Sequence, residues 1–409
     1  MNLDEARRRV ERATHLNAFI ALTAERGPGP AIAVKDLIDV RGVPTTGGGA
    51  ILPLAPAADD APLVRRIRAA GCRVLGKTNL YEWAYGVSSC NPHFGDVSNP
   101  RDPARSAGGS SSGSAAAVAA GLCDWAIGTD TAGSVRVPAS LCGVVGFKPS
   151  HGAIPTDGVI PLSRSLDTVG ALAPTVRVAT EAVALMSGGL APALDDIPDV
   201  QELRLVSPGG WVADLDEETA RVWGEIGDRL PRVPLPDRAQ MAEAAATIQA
   251  AEASAFHRDW VRRWPDRYSA EVLAKLEAGL DVRAVDYLRA LEERVRLRGL
   301  LEEALEGRDA LVLPATAVIA PPIDAPEARE ALLRFTRPFS LTGHPCIVIP
   351  APTAGLPVGI QLVGGLGAEA GLAVVAMALE RSWDATRGDV TSDSAGPSIP
   401  TPGSGRDRT

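Results

Sequence analysis

A chain of 409 residues can bury one large core or two ordinary ones, and 45% hydrophobic against 22% charged residues is the balance of a soluble globular protein. Its formal net charge of −9 argues against a protein that reads a nucleic-acid backbone, which needs a basic face. Five scattered cysteines without a CxxC pair, and five isolated histidines without an HExxH, fit reduced cytosolic thiols better than a disulfide frame or a metal centre.

The N-terminal MNLDEARRRVERA is charged and lacks the apolar core of a signal peptide, and no stretch reaches roughly 18 uninterrupted apolar residues. A cytoplasmic protein without a membrane span is expected. Residues 3–26 read as an amphipathic helix that stops at GPGP, and AIAV (31–34) as a buried strand leading into Lys35. APLVRRIRAA (61–70) has helical periodicity and ends at Gly71; CRVLG (72–76) is a strand, and TNLYEWAYG opens a further helix. A long loop runs to the alanine-rich helix AAAVAAG, followed by the strand CDWAIG, the turn TDTAGS and a short helix over VRVPASLCG. Residues 175–305 read as mostly helical, after which ALVLP, CIVIP and VGIQLVG return to strands before a closing helix near 368–382. The tail 388–409 is polar and rich in Pro, Gly and Ser, and is expected to be disordered. The alternation predicts an α/β fold with a sheet core covered by helices.

Residues 71–78, GCRVLGKT, match the phosphate-loop pattern G-x-x-x-x-G-K-[ST]. A phosphate loop follows a strand and opens a helix, so that backbone N–H groups converge on the phosphates. Here the middle residues are themselves the strand and Gly71 ends the preceding helix, so the match is a decoy. A second match, G-x-S-x-G over Gly109–Gly113, lacks the preceding strand that a nucleophile elbow needs. It reads instead as a loop whose backbone passes close to something. The turn GTDTAGS is more informative. Successive N–H groups of Thr131, Ala132, Gly133 and Ser134 at a helix start can converge on one spot as an oxyanion hole, with Ser134 as nucleophile. An N-cap serine without chemistry is the alternative. Of 41 basic residues only Lys35, Lys77, Lys148 and Lys275 are lysine. Lysine retained in an arginine-rich chain suggests a role that needs an amine able to lose its proton. For Lys35 the competing reading is an ion pair with Asp36 or Asp39.

Lys35 after an apolar strand, the Gly-Gly-Ser-Ser loop and the Ala-Gly-Ser turn together resemble the amidase signature family. The resemblance runs through AVKDLIDVRGVPTT, GKTNLYEWAYG, GGSSSGSAAAVAAG, GTDTAGSVRVPASLCGVVGFKPSHGAIP and SLDTVG, and resumes at DALVLPAT, LTGHPCIVIP and LPVGIQLVG. It implies a large mixed twisted sheet covered on both sides by helices, in a single domain over 1–387. The catalytic motifs would lie in 31–175 and 309–365, with a variable substrate region over 176–308.

The family further implies a triad of Ser134 as nucleophile, Ser110 as relay behind a cis peptide bond, and neutral Lys35 as base, with no cofactor and no metal. Neutrality near pH 7 requires burial to disfavour the ammonium by roughly 4 kcal/mol. Ser112 and Ala132 stand where the family usually has glycine. The expected partner is a small amide or ureide, with no nucleic acid and no membrane, and a homodimer is compatible with the reading. The glutaminase component of a transfer-RNA amidotransferase and an allophanate- or carboxybiuret-type hydrolase are the alternatives. Arg334 and Arg337 are candidate anchors for a substrate carboxylate, the other reading being plain surface arginines.

Overall fold

The computed structural model describes residues 1–189, 194, 196–323, 325 and 328–386. Local sequence explains its first surprise. Helix α1 covers only Leu3–Arg12, capped by the Asn2 side chain, because Asn17 turns the chain in a left-handed conformation. The β-favouring FIAL that follows is strand β1, Phe19–Leu22, so the helix expected over 3–26 is a helix plus an edge strand. Next come β2 (Ala31–Lys35), α2 (Pro62–Ala69), β3 (Arg73–Thr78) and the hairpin of β4 (Ser98–Asn99) and β5 (Asp102–Ser106). The helix expected from TNLYEWAYG is a single 3₁₀ turn, Glu82–Ala84. Long-range bonds override its propensity: Tyr81 N–H donates to the Ser110 carbonyl and Trp83 N–H to that of Gly47.

Helix α3 (Ser112–Ala119), strand β6 (Trp125–Asp130) and helix α4 (Arg136–Cys142) follow as the sequence suggested. Strands β7 (Val145–Lys148) and β8 (Thr168–Ala173) come next, then helix α5 (Val176–Ser187). The middle region contains β9 (Leu205–Pro208), α6 (Glu217–Ile226), β10 (Arg232–Val233), α7 (Arg238–Arg263), α8 (Ala270–Leu280) and α9 (Ala284–Leu305). It is largely helical but also supplies two strands. The chain closes with β11 (Ala310–Pro314), α10 (Arg329–Leu333), α11 (Arg337–Thr342), β12 (Cys346–Pro350), β13 (Gly359–Val363) and α12 (Glu369–Thr386). The tail expected to be disordered lies outside the described residues.

Among the described residues eleven strands form one mixed sheet in the order β1-β3-β2-β6-β8-β7-β12-β13-β11-β9-β10. Strands β3, β2 and β6 run parallel, as do β11, β9 and β10; the pairs between these blocks are antiparallel. Alternation along β2 sorts its two faces. Ile32 and Val34 enter the large core shared with α2, α5 and α7, whereas Ala31 and Ala33 face the smaller core containing the alanines of α3. Small residues on that face let α3 approach the sheet closely: a methyl added at Gly128 of β6 would stand 2.9 Å from Ser111 Oγ. Lys35, two residues beyond Ala33, points to this same face.

Candidate active site

Lys35 ends β2 fully buried, with its Nζ 2.7 Å from Ser110 Oγ, 2.9 Å from Ser111 Oγ and 2.8 Å from Thr129 Oγ1. The ion pair considered for it is made by a different lysine. Asp36 pairs with Lys77 at 2.6 Å, both buried, and Asp39 accepts from Thr45 Oγ1. Lys77 is the lysine of the phosphate-loop match, and inside strand β3 it has no route to a nucleotide. Three neutral hydroxyls cannot compensate an ammonium as a carboxylate would. Burial therefore pushes the Lys35 pKa down from 10.5 to about 7, with Asp130 and Asp167 pulling it partly back.

Ser110 follows a cis peptide bond from Gly109 and is fully buried at the start of α3. Both preceding glycines are required by packing: Gly108 has φ +74° against Pro138, and a methyl on Gly109 would lie 2.1 Å from the Ser88 carbonyl oxygen. The close backbone approach expected of this loop is thus made to the 87–88 segment. Ser111, the central serine of the G-x-S-x-G match set aside as a nucleophile elbow, accepts from Lys35 and donates to the Thr129 carbonyl at 3.2 Å. Its position as the second serine of Gly-Gly-Ser-Ser was the available signal. Thr129, one residue before the Asp-Thr-Ala-Gly-Ser turn, was missed. Ser112 Oγ is buried without a hydrogen-bond partner.

Ser134 is 6% exposed, and among the described residues its hydroxyl makes no hydrogen bond. It is not the cap of α4: the Asp130 carboxylate accepts the N–H groups of Val135 and Arg136 instead. Asp130 also holds the Arg136 side chain through Nε and Nη2, and Arg136 reaches the Thr336 carbonyl, Ser340 Oγ and Gln361 Oε1. This buried clamp closes the loop 130–136 around the turn. Gly133 has φ +150°, and a methyl there would come 2.3 Å from Thr336 Oγ1, which itself donates to the Ala132 carbonyl. Thr131 Oγ1 donates to Asp167 at 2.5 Å. The Ala132, Gly133 and Ser134 carbonyls accept from Thr336 Oγ1, Val137 N–H and Ser111 N–H, while the N–H groups of Thr131, Ala132, Gly133 and Ser134 have no acceptor among the described residues.

Lys35 and Ser110 are therefore in direct contact. Ser110 and Ser134 are joined through backbone, Ser111 N–H donating to the Ser134 carbonyl at 3.3 Å, and not by a hydroxyl–hydroxyl hydrogen bond. Contacts of this kind commonly tighten only once substrate is bound. The histidines lie elsewhere: His344 bonds Glu302 and Thr342, and His257 bonds Tyr268. Of the two arginine candidates, Arg334 is engaged by Glu330 and by the carbonyls of Ala213 and Asp214. Arg337 has its Nε buried and unpartnered.

Comparison with known proteins agrees with this architecture. The Amidase family matches residues 3–210 and 212–372. The chain is 35% identical to AtzE, a component of the 1-carboxybiuret hydrolase of Pseudomonas sp. (strain ADP), with 87% of this chain and 86% of that protein aligned. It is 34% identical to the A-type component of the glutamyl-tRNA(Gln) amidotransferase of Natronomonas pharaonis, over 87% and 97% respectively. A solved amidase superimposes with a TM-score of 0.86 at 34% identity, covering 93% of this chain and 95% of that one. The protein belongs to the amidase family. It is an amidase-class hydrolase with the mixed α/β fold of the amidase signature enzymes.

Proposed function

We propose that the protein hydrolyses carboxamide or ureide C–N bonds through an acyl-enzyme on Ser134. Neutral Lys35 takes the proton of Ser110 as Ser110 takes that of Ser134, whose oxygen attacks the substrate carbonyl. The developing oxyanion is received by the free N–H groups of residues 131–134, each such donor contributing roughly 10²–10³-fold in rate. The relay then returns its proton to the departing nitrogen, and water repeats the sequence on the acyl group. The observation that carries this reading is a lysine buried among hydroxyls, with no carboxylate partner among the described residues, in contact with the serine of a Gly-Gly-Ser-Ser loop.

The test is labelling with an acyl- or phosphonyl-type serine probe, read by mass spectrometry. Ser134 should carry the label in the native chain, and Ser134→Ala should carry none and lose turnover. Label on another serine, or turnover retained in the alanine variant, overturns the assignment.

A second reading is favoured by the 34% identity to an amidotransferase component. The same site would then release ammonia from glutamine for partner chains. Glutamine hydrolysis appearing only when partner chains copurify would establish it, and turnover of simple amides or ureides by the isolated chain would reject it. Five free thiols are consistent with a cytoplasmic location, and among the described residues no helix is long and apolar enough to cross a membrane.

A further inference from the structure

Between β7 and β8 the chain runs from 149 to 167 without a helix and with only one isolated bridge, Val159 to Ile38. The end of this segment is nevertheless pinned by two carboxylates. Asp167 Oδ2 accepts the N–H groups of Leu162 and Ser163 at 2.9 and 3.0 Å, while its Oδ1 accepts the Thr131 hydroxyl of the oxyanion turn. Glu252, on helix α7 of the middle region, takes the other side of the same segment. Its Oε2 accepts Ser163 Oγ at 2.7 Å and Ser165 N–H at 3.0 Å. Its Oε1 accepts Ser165 Oγ at 2.5 Å and the Tyr287 hydroxyl of α9 at 2.8 Å.

Ser163 is where the two carboxylates meet. It is fully buried, with its N–H given to Asp167 and its hydroxyl to Glu252. A run of hydrogen bonds therefore leads from α9 and α7 through Glu252, Ser163 and Asp167 to Thr131. Burial acts to raise the Glu252 pKa, but the bonds from Ser165, Ser163 and Tyr287 outweigh it and hold the carboxyl below the usual 4.5. At neutral pH Glu252 is thus ionised and can only accept. At the far end, the Ala132, Gly133 and Ser134 carbonyls are held by Thr336, Val137 and Ser111, and Asp167 supplies the hold on the Thr131 side chain. An oxyanion donor works only at hydrogen-bond distance from the place where charge develops, and a misplacement of about 1 Å costs on the order of 10²-fold in rate.

We propose that Glu252 is a positioning residue for the oxyanion turn, acting through the 163–165 segment and Asp167 on Thr131. The inference rests on the hydrolase reading above and adds to it a residue of the middle region that hydrogen-bonds none of Lys35, Ser110 and Ser134. It gives that region, in which no catalytic motif is read, a direct hold on the rate of acyl transfer.

The test is a double-mutant cycle read on the labelling of Ser134 by a fluorophosphonate, resolved into a maximal rate and a half-saturating concentration. In that reaction Ser134 Oγ displaces fluoride from phosphorus while the phosphoryl oxygen occupies the place of the oxyanion. Glu252→Gln sets an N–H donor against groups that already donate. It should slow the maximal rate about tenfold, less than the 10²–10³ of a donor lost outright, and leave the half-saturating concentration within about twofold. Thr131→Val removes the hydroxyl at the other end of the run and should slow labelling comparably. The double variant should be within about twofold of the slower single one, since both changes break the same chain of contacts. Ser163→Ala keeps both carboxylates; it should show the same pattern with a smaller loss, and it replaces Glu252→Gln in the cycle if that variant does not fold. Ser254→Ala, two residues further along α7, loses a bond to the Leu276 carbonyl; it should melt earlier while labelling within about twofold of the native rate. Native-like labelling in Glu252→Gln, losses that multiply in the double variant, or an equal slowing in Ser254→Ala overturns the positioning role and leaves the hydrolase standing. A native chain not labelled at Ser134, or a Thr131→Val chain labelled at the native rate, removes the turn itself from the chemistry and the positioning role with it.

Discussion

An ammonium at Lys35 and an amine at Lys35 are different parts. Only the amine has a lone pair for the proton of Ser110, and the same burial that frees it also makes the position costly. The first consequence is kinetic. With the lysine pKa at about 7, kcat/KM should rise about tenfold per pH unit below that value and level off above it. Lys35→Arg should be nearly as inactive as Lys35→Ala, because a guanidinium keeps its proton. An arginine variant with substantial turnover, or an acid limb centred far from 7, would remove the base from the mechanism. The second consequence is thermodynamic. Between pH 7 and 10.5 the unfolded chain carries a proton on this lysine that the folded chain does not. Stability should therefore rise with pH across that window by up to about 1.4 kcal/mol per unit, with the penalty fully present below 7. Lys35→Met abolishes this slope. It also leaves three hydroxyls without their donor, at about 1–3 kcal/mol each, so relative to the native chain it should be more stable at pH 6, where the native chain carries the ionic penalty, than at pH 10. Denaturant unfolding of the two proteins at pH 6 and pH 10 measures both effects.

At the level of elements, the turn 130–136 proposed to carry the chemistry is held by neighbours more than by its own conformation. Arg136→Met leaves the Asp130 carboxylate buried without its charge partner, which should cost about 3–5 kcal/mol. Gly133→Ala places a methyl against Thr336 Oγ1 and should lose most activity with a smaller loss of stability, because the clash displaces the N–H groups aimed at the oxyanion. Thermal melts alongside kinetics separate the two; an active Gly133→Ala would mean that the turn does not carry the chemistry. These dependencies also mark how far the sequence could be read. Strands such as β2, β6, β11, β12 and β13 were legible because they are short apolar runs bounded by breakers. Strand β1 was not, since its four residues adjoin a strongly amphipathic helix and join the sheet only by pairing with β3, fifty residues on. The 3₁₀ turn at Glu82–Ala84 was hidden for a similar reason, its backbone partners lying at Gly47 and Ser110. In the site, Lys35, Ser110 and Ser134 stand out through their glycine-rich and apolar settings. Ser111 touches the same amine and had the Gly-Gly-Ser-Ser run as its signal, whereas nothing in the local sequence of Thr129, which also touches it, distinguishes it from a structural hydroxyl. The Arg337 Nε left without a partner among the described residues, and the engagement of Arg334 by Glu330, Ala213 and Asp214, are visible only in three dimensions.

For the whole molecule, the middle region is not an appendage. Strands β9 and β10 extend the sheet beyond β11, and helix α7 packs against α8, α9 and α11. We therefore expect a single calorimetric unfolding transition for residues 1–387, with the region 176–308 melting together with the catalytic segments. Two resolved transitions would show that this region folds as a separate unit. The alanine side of the sheet sets a further bound, on how such a protein can diversify. Ala31 and Ala33 share a core with the alanines of α3, and a methyl added at Gly128 would press on Ser111, the neighbour of Ser110 and a partner of the Lys35 amine. A lineage adapting to new compounds thus has little freedom beneath α3, and its novelty must accumulate at the distant rim where helices meet the solvent.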